Sequence, residues 1–406
     1  MAYLFEATRI KGLELKNRII RSATHEGLSD ENGFPGKELF QLYERIAKGG
    51  ASLIMTGYAY VARDGKCHLY RMQGIDRDDH IPAYQELVNH VHNYGARVAM
   101  QIAHCGRQTT REAIGTQPIA PSPIKDKSLF SAPREMTEQD IARIIEAFAQ
   151  AARRVKAGGF DAVQIHAAHG YLLNQFLSPY TNRRTDRWGG SIENRMRIVT
   201  EIYQRCRKQV GNDFPILIKI NAYDTMKNGL RLDESITMAR MISEMGFDGI
   251  EVSCGIFEDN FSSVRGDAPL DTILDDWDIY RRKNPLYRFV MRRFGERIVK
   301  PLPFSEAYNL EAAKAIKCAV TIPVFLVGGM VVPATMEQII ERGDVDYISL
   351  SRALVADANF PNKIRNGSNE PSRCVHCNLC MGYLTKRPLR CYHGKRMNTS
   401  SLSVPR

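Results

Sequence analysis

Short apolar, β-branched runs alternate along this chain with longer amphipathic stretches. Residues 17–23, 51–57, 97–103, 161–165, 216–221, 249–253, 323–327 and 346–350 read as buried strands. Between them the hydrophobic period lengthens to that of a helix, over 37–48, 80–94, 137–157, 191–209, 233–245, 306–319, 333–342 and 359–366. Thr137 with Asp140 makes a cap signature, and Asp233 and Pro333 stand where helix starts are expected. Gly158-Gly159, Gly246 and Gly343 end helices before the next strand. Eight such pairs predict an α/β fold, a (β/α)8 TIM barrel rather than an open sheet.

Two segments break the alternation. Residues 254–305 form a long loop after strand 6, too long to be structureless. Its run RRKNPLYRFVMRRFGERIV predicts short helices and a lid over the barrel mouth. The second segment, 367–406, is a C-terminal cysteine-rich extension, with a frayed end expected at 394–406. The organisation expected is a barrel over 1–366, carrying a lid-like insertion at 254–305, and a tail over 367–406.

In such a barrel the site lies at the carboxyl ends of the strands. Polar residues gather there: Thr24-His25-Glu26, Gln101 and His104, Lys219 and Asn221, Ser253, Gly328-Gly329 and Ser351-Arg352. A plain core does not need polar groups at nearly every strand end. The densest set follows the fourth strand, in His166-Ala167-Ala168-His169-Gly170-Tyr171. His166 and His169 can each donate a hydrogen bond to one carbonyl or nitro oxygen, and the Tyr171 phenol can supply a proton nearby. That combination suits reduction of a double bond polarised by a carbonyl. A single core histidine is more often structural. Three such side chains within six positions shift the reading toward function.

Composition is that of a globular chain: 406 residues, 44% hydrophobic and 25% charged. No apolar run approaches bilayer length and the N-terminus lacks a signal-peptide pattern, so a cytoplasmic protein with no membrane role is expected. The formal charge is +11, and residues 281–300 hold eight bases against Glu296 alone. Charge by itself is weak evidence for nucleic acid, and no nucleic-acid motif is present. The run reads first as a solvated helical face and second as an attractor for an anionic substrate or cofactor tail. Of nine cysteines, Cys67, Cys105, Cys206, Cys254 and Cys318 are scattered. Cys374, Cys377, Cys380 and Cys391 cluster, a pattern that points to metal rather than disulfides.

The run His166 to Tyr171, followed by Asn182-Arg183-Arg184-Thr185-Asp186-Arg187-Trp188-Gly189-Gly190-Ser191 and Glu193-Asn194-Arg195, resembles the Old Yellow Enzyme family of FMN-dependent oxidoreductases. Lys16-Asn17-Arg18-Ile19, Gln101-Ile102-Ala103-His104-Cys105-Gly106-Arg107, Val327-Gly328-Gly329-Met330 and Ser351-Arg352-Ala353-Leu354 resemble it too, in family order. The resemblance implies FMN across the barrel mouth. Gln101 would bond the pyrimidine edge, and Ser22, Ala23 and Thr24 would face N5. Gly328, Gly329, Ser351 and Arg352 would hold the phosphate. His166 and His169 would take the substrate oxygen, with Tyr171 as proton donor and NAD(P)H as reductant. Three departures stand out. Lys219 replaces the arginine many members place beside the flavin. His25 falls where others have Thr or Cys, a position that tunes the flavin, and so resembles the bacterial 2,4-dienoyl-CoA reductases. Arg21 is a charge at a strand end whose partner the sequence does not name.

The spacing Cys374-x2-Cys377-x2-Cys380-x10-Cys391 is similar to the motif after the barrel in trimethylamine dehydrogenase and 2,4-dienoyl-CoA reductase. That likeness implies a 4Fe–4S cluster, with zinc as the alternative and His376 and His393 close by. Those relatives continue into an FAD and nicotinamide domain. Here the sequence runs fifteen residues past Cys391 without a second glycine-rich fingerprint, so a separate electron-transfer protein or subunit is expected as partner. The function expected is an FMN-dependent ene-reductase acting on small α,β-unsaturated carbonyl or enoyl-thioester substrates, acyl-CoA among them, in a homo-oligomer. The alternatives are an amine or C–H dehydrogenase passing electrons through the cluster, and a non-enzymatic electron carrier.

Overall fold

The computed structural model describes residues 1–69, 71–259 and 262–394. Eight parallel strands close into a barrel. They are β1 (Ile19–Arg21), β2 (Leu53–Met55), β3 (Arg97–Ala103), β4 (Ala162–Ala167), β5 (Ile216–Asn221), β6 (Gly249–Ser253), β7 (Val324–Val327) and β8 (Tyr347–Leu350). Each pairs with its neighbours in chain order, and β8 pairs back to β1 with Ile348 opposite Ile19. The β2–β3 pairing sets Leu53 opposite Arg97 and Met55 opposite Ala99. The strands are buried on both faces, which is why they read as continuous apolar runs.

Around them lie α1 (Lys37–Lys48), α2 (His80–His92), α3 (Glu138–Ala157), α4 (Ile192–Val210), α5 (Leu232–Met245), α6 (Leu310–Lys317), α7 (Pro333–Glu341) and α8 (Phe360–Arg365). The signature before α3 is a full capping box: Asp140 N–H donates to Thr137 Oγ1 at 3.1 Å, and Thr137 N–H to Asp140 Oδ2 at 2.9 Å. Ile141, Ile144, Ile145, Phe148, Ala152 and Val155 give α3 its buried stripe. Helix α6 starts later than the periodicity predicts. Ala307 is left-handed at φ 50°, and the Glu306 carboxylate accepts from the Val331 and Val332 amides, so the turn before Leu310 cannot be helical.

A hairpin that the periodicity does not reveal plugs the amino end of the barrel. Thr8–Ile10 pairs with Leu13–Leu15 across a turn at Lys11-Gly12. Ile10, Leu13 and Leu15 pack with Ile20, Leu53, Met55, Leu217, Phe325 and Tyr347. With that end filled, the carboxyl ends are left for chemistry.

The segment after β6 is helical, as expected, with helices at Leu270–Asp276, Asp278–Arg281 and Pro285–Val299. It is tied down at several points. Trp277 Nε1–H donates to Gly382 O at 2.7 Å, Tyr280 O–H to Ser128 O at 2.8 Å, and Asn378 Nδ2–H to Val264 O at 2.7 Å. The insertion and the cysteine tail therefore pack against each other. Part of the basic run is neutralised inside the insertion, where Arg288 and Arg292 pair with Asp275 and Arg292 also with Asp271. The same helix leaves Leu286, Phe289 and Ile298 71%, 63% and 55% exposed. Among the described residues no helix is long and apolar enough to cross a membrane. The frayed end expected at 394–406 lies, apart from Gly394, outside the described residues.

Candidate active site

A row of side chains crosses the barrel just below its mouth. Gln101 Nε2–H donates to Gln164 Oε1 at 2.7 Å, and Gln164 Nε2–H to Glu251 Oε2 at 2.9 Å. Lys219 Nζ lies 3.0 Å from Glu251 Oε2 and donates to Ser22 Oγ at 3.0 Å. Strand alternation brings these inward-facing residues to one level. Lys219 and Glu251 are fully enclosed, and each offsets the desolvation cost of the other. Lys219 thus presents a fixed cation at the floor of the cleft.

The fourth strand delivers the two histidines. His166 is the fifth residue of β4, while His169 follows in a left-handed turn at φ 61° continued by Gly170 at φ 81°. Asn221 Oδ1 accepts the His169 amide at 3.1 Å and Asn174 Oδ1 the Gly170 amide at 2.7 Å, which hold that turn. The imidazole centroids are 5.1 Å apart and nearly perpendicular, and His166 sits 5.0 Å from the Tyr171 ring. His169 Nε2 bonds Ser253 Oγ at 2.7 Å. His166 Nδ1 is buried without a partner among the described residues. Burial, with Lys219 nearby, lowers His169 to about 3, and burial, with His169 and Lys219, drops His166 well below its ordinary value. Both rings are neutral at physiological pH. Each then has one N–H to donate to a neutral acceptor such as a carbonyl.

Ser22, Ala23, Thr24, His25, Gln101, His166, His169, Tyr171, Lys219, Gly328, Gly329, Ser351 and Arg352 all line a single cleft. Glu26, His104 and Asn221, also picked out at strand ends, do not line it: Glu26 pairs with Arg21, His104 faces Asp64, and Asn221 braces the His169 turn. Gly328 and Gly329 have φ of 131° and 71°, which glycine alone adopts without strain, and the turn lays backbone along the cleft wall. Thr24 Oγ1 and Ser351 Oγ are 2.8 Å apart. Arg352 Nη1 donates to Arg265 O at 2.8 Å and Asn378 Oδ1 at 2.6 Å, so the segment after β6 and the tail orient it. This donor set fits a flavin mononucleotide. Gln101 and Lys219 suit the polar edge of a flavin ring, and the glycine turn with Arg352 suits a phosphate. Ser349 Oγ, buried at the same wall, has no hydrogen-bond partner among the described residues.

Arg21 turns away from the cleft. It pairs with Glu26 at 2.7 Å and also donates to the Met55 and Thr24 carbonyls. Glu26 further accepts from Tyr43 O–H at 2.7 Å, Gly57 N–H at 2.7 Å and Gln73 Nε2–H at 3.0 Å. This buried knot fixes the loop that carries Ser22 to His25. The His25 ring lies 5.4 Å from that of Tyr58.

Several residues of the site go unread in the sequence. Tyr58 accepts a 2.8 Å hydrogen bond from the Tyr171 phenol, and Cys67 and Cys105 close the cluster behind them. Tyr58 follows the carboxyl end of β2, and the strand-end rule applied there would have found it. Glu251 carries its own signal, an acid in the middle of a buried strand.

In the tail, Cys374, Cys377, Cys380 and Cys391 surround one small cavity together with Arg352 and His393. All nine cysteines are free thiols. Among the described residues, no three His, Cys, Asp or Glu side chains converge closely enough to hold a single metal ion.

The NADH:flavin oxidoreductase / NADH oxidase family model matches residues 3–262. The chain is 35% identical to the NADH oxidase of Thermoanaerobacter brockii, over 93% of this chain and 53% of that protein. It is 33% identical to the cinnamate reductase of Clostridium sporogenes, over 94% of this chain and 56% of that one. Among solved structures, a 2-naphthoyl-CoA reductase in complex with 2-naphthoyl-CoA superimposes with a TM-score of 0.81 at 25% identity, covering 94% of this chain and 56% of that one. The chain spans about half the length of these relatives. A family match over residues 3–262, with a 35% identical relative aligned over 93% of the chain, on a closed eight-stranded barrel with polar side chains in one cleft, makes the chain a member of the NADH:flavin oxidoreductase / NADH oxidase family, with the FMN and NAD(P)H dependence that this oxidoreductase family implies.

Proposed function

We propose that the protein is an FMN-dependent ene-reductase, reducing the C=C bond of α,β-unsaturated carbonyl or enoyl-thioester compounds at the expense of NAD(P)H. The observation that carries this reading is the pair His166 and His169, both neutral, set 5.1 Å apart beside Tyr171 over the Lys219 floor. FMN, when bound, supplies the hydride chemistry between nicotinamide and alkene. The two imidazoles hold and polarise the carbonyl oxygen as charge builds on it. Tyr171 delivers the proton to the α-carbon. Burial keeps its phenol well above the ordinary range, so the proton is in place throughout neutral pH. Ser22, Thr24 and Gln101 orient the ring, Lys219 favours negative charge on it, and Gly328, Gly329, Ser351 and Arg352 retain the phosphate. The cinnamate reductase likeness supports an alkene as substrate, and the naphthoyl-CoA reductase likeness supports a thioester. The test is extraction of the cofactor, expected to be FMN, followed by anaerobic bleaching with NAD(P)H. A colourless protein that cannot be reconstituted refutes the reading.

The tail supports a second element of the proposal, a 4Fe–4S cluster held by Cys374, Cys377, Cys380 and Cys391. Its support is that four thiols enclose a cavity bordered by Arg352, the same side chain assigned to the phosphate. A cluster core fills the space between four thiolates, whereas one zinc ion draws them together. Through this tail a protein partner would exchange electrons with the barrel, and the dehydrogenase direction uses the same path. Association of like subunits belongs to the proposal as well, supported by the exposed Leu286, Phe289 and Ile298, and light scattering in solution tests it.

A further inference from the structure

A second cavity, of about 780 Å³, lies beside the flavin cleft, between the loop after β3 and the segment after β6. Its size is that of a small-molecule site. One aromatic layer separates the two. Leu69 and Phe257 line the flavin cleft, while His68 and Trp277 line the side cleft. Phe257 stacks on Trp277 with centroids 5.6 Å apart, and His68 lies 5.4 Å from Trp277.

The chemistry of this cavity is specific. Phe130 and Trp277 offer aromatic walls, with Leu129 beside them. Among the described residues, both ring nitrogens of His68 are buried with no hydrogen-bond partner, and so is Asp276 Oδ2. Burial lowers His68 to about 3, so the ring is neutral, with one donor and one acceptor to give. Leaving such groups unpaired is costly, and a purely apolar occupant would leave them so. At the rim stand Arg111, Arg282 and Lys386. Among the described residues no ion pair engages Arg111 or Arg282, while Lys386 is 4.0 Å from Asp278. Of the three acids also lining the cavity, Glu112, Asp276 and Asp278, the last is taken by Arg281 at 2.8 Å. Burial raises Asp276 toward its neutral form.

We propose that this side cleft binds the adenosine-phosphate arm of a nucleotide-linked ligand whose reactive end reaches the flavin cleft past Phe257 and Leu69. Adenine has the flat face for the aromatic walls, an amine to donate, and ring nitrogens to accept from His68. Its phosphates meet the rim cations. Reduced nicotinamide dinucleotides and CoA thioesters share this arm, and the inference rests on the ene-reductase reading for the other end of the ligand.

The experiment compares the holoprotein with the rim variant Arg282→Ser/Lys386→Ser and with His68→Leu. ADP is titrated by calorimetry, and KM is measured for NADPH and for N-benzyl-1,4-dihydronicotinamide, which lacks the arm. The same comparison is made for crotonyl-CoA and crotonyl-N-acetylcysteamine. ADP binding should weaken by about tenfold or more in the rim variant, the size expected for lost charge-assisted bonds. KM should rise likewise for the nucleotide-bearing member of a pair and stay put for its truncated counterpart. A rise confined to one pair names the source of the arm. Absence of ADP binding to the unmodified protein at millimolar concentration, equal binding by both rim forms, or equal KM changes within each pair overturns the proposal. Failure of N-benzyl-1,4-dihydronicotinamide to bleach the unmodified holoprotein overturns the flavin reading instead. The calorimetric result for the cleft stands apart from it.

Discussion

The Tyr171 phenol donates a hydrogen bond to the Tyr58 hydroxyl at 2.8 Å, with the two rings 5.0 Å apart. The bond aims the Tyr171 oxygen along the wall that His166 shares. Burial raises both phenols well above their ordinary value, so neither ionises near neutrality. Tyr171→Phe should slow alkene reduction by about 10²- to 10⁴-fold, the usual reach of a general acid. Flavin reduction by NAD(P)H should hardly change. Tyr58→Phe should give a smaller loss in the same half-reaction. Stopped-flow measurement of the two half-reactions separates these effects, and an equal fall in both would make Tyr171 structural.

Among the described residues the Glu26 carboxylate has four partners in a buried knot, Arg21, Tyr43, Gly57 and Gln73. Glu26→Ala strands the Arg21 guanidinium and should cost about 3–5 kcal/mol. Denaturant unfolding checks this. A loss under about 1 kcal/mol would mean that the knot is far weaker than a buried ion pair.

The neutral histidines set a direction for pH. His68, His166 and His169 all lie below the ordinary histidine value, while the unfolded chain takes up protons near 6.5. The unfolded state therefore binds more protons once pH falls below about 6.5, and stability declines from there toward about 3. Melting temperature followed from pH 8 to 5 should be level above 7 and fall below about 6.5. His169→Asn should flatten part of the fall, and a profile that rises on acidification would contradict the neutral assignment.

The barrel was legible because its strands are enclosed on both faces and so appear as unbroken apolar runs, while helices such as α3 keep a clean stripe and a capping box. The hairpin at Thr8–Leu15 was not, since three-residue strands carry too little pattern and gain their burial only from the barrel end they plug. The candidate cleft was legible at polar side chains near strand ends such as Gln101, His166 and Lys219, although Glu26, His104 and Asn221, read by the same rule, do not line it. Arg21 was opaque because its partner Glu26 is set by a loop path rather than by periodicity. The basic run divides: Arg292 is engaged by Asp271 and Asp275, while Arg282 borders the side cleft together with Arg111 and Lys386.

The cysteine tail makes a prediction of its own. Anaerobic purification should yield about four iron and four labile sulfide per chain, the content of a cubane on four thiolates. Cys377→Ala should abolish them and leave FMN in place. One zinc per chain without labile sulfide would reduce the tail to a structural clip.

The central claim is that His166 and His169 polarise an acceptor oxygen above a reduced flavin. The direct measurement is anaerobic reoxidation of the NAD(P)H-reduced protein by cyclohex-2-enone, for the unmodified chain and for His166→Ala/His169→Ala. The account predicts rapid recolouring of the former. In the double variant it predicts a loss of about 10²-fold or more, as for removal of an oxyanion donor, with bleaching by NAD(P)H retained. Equal reoxidation rates in the two proteins, or no recolouring of the unmodified chain by any enone, would contradict it.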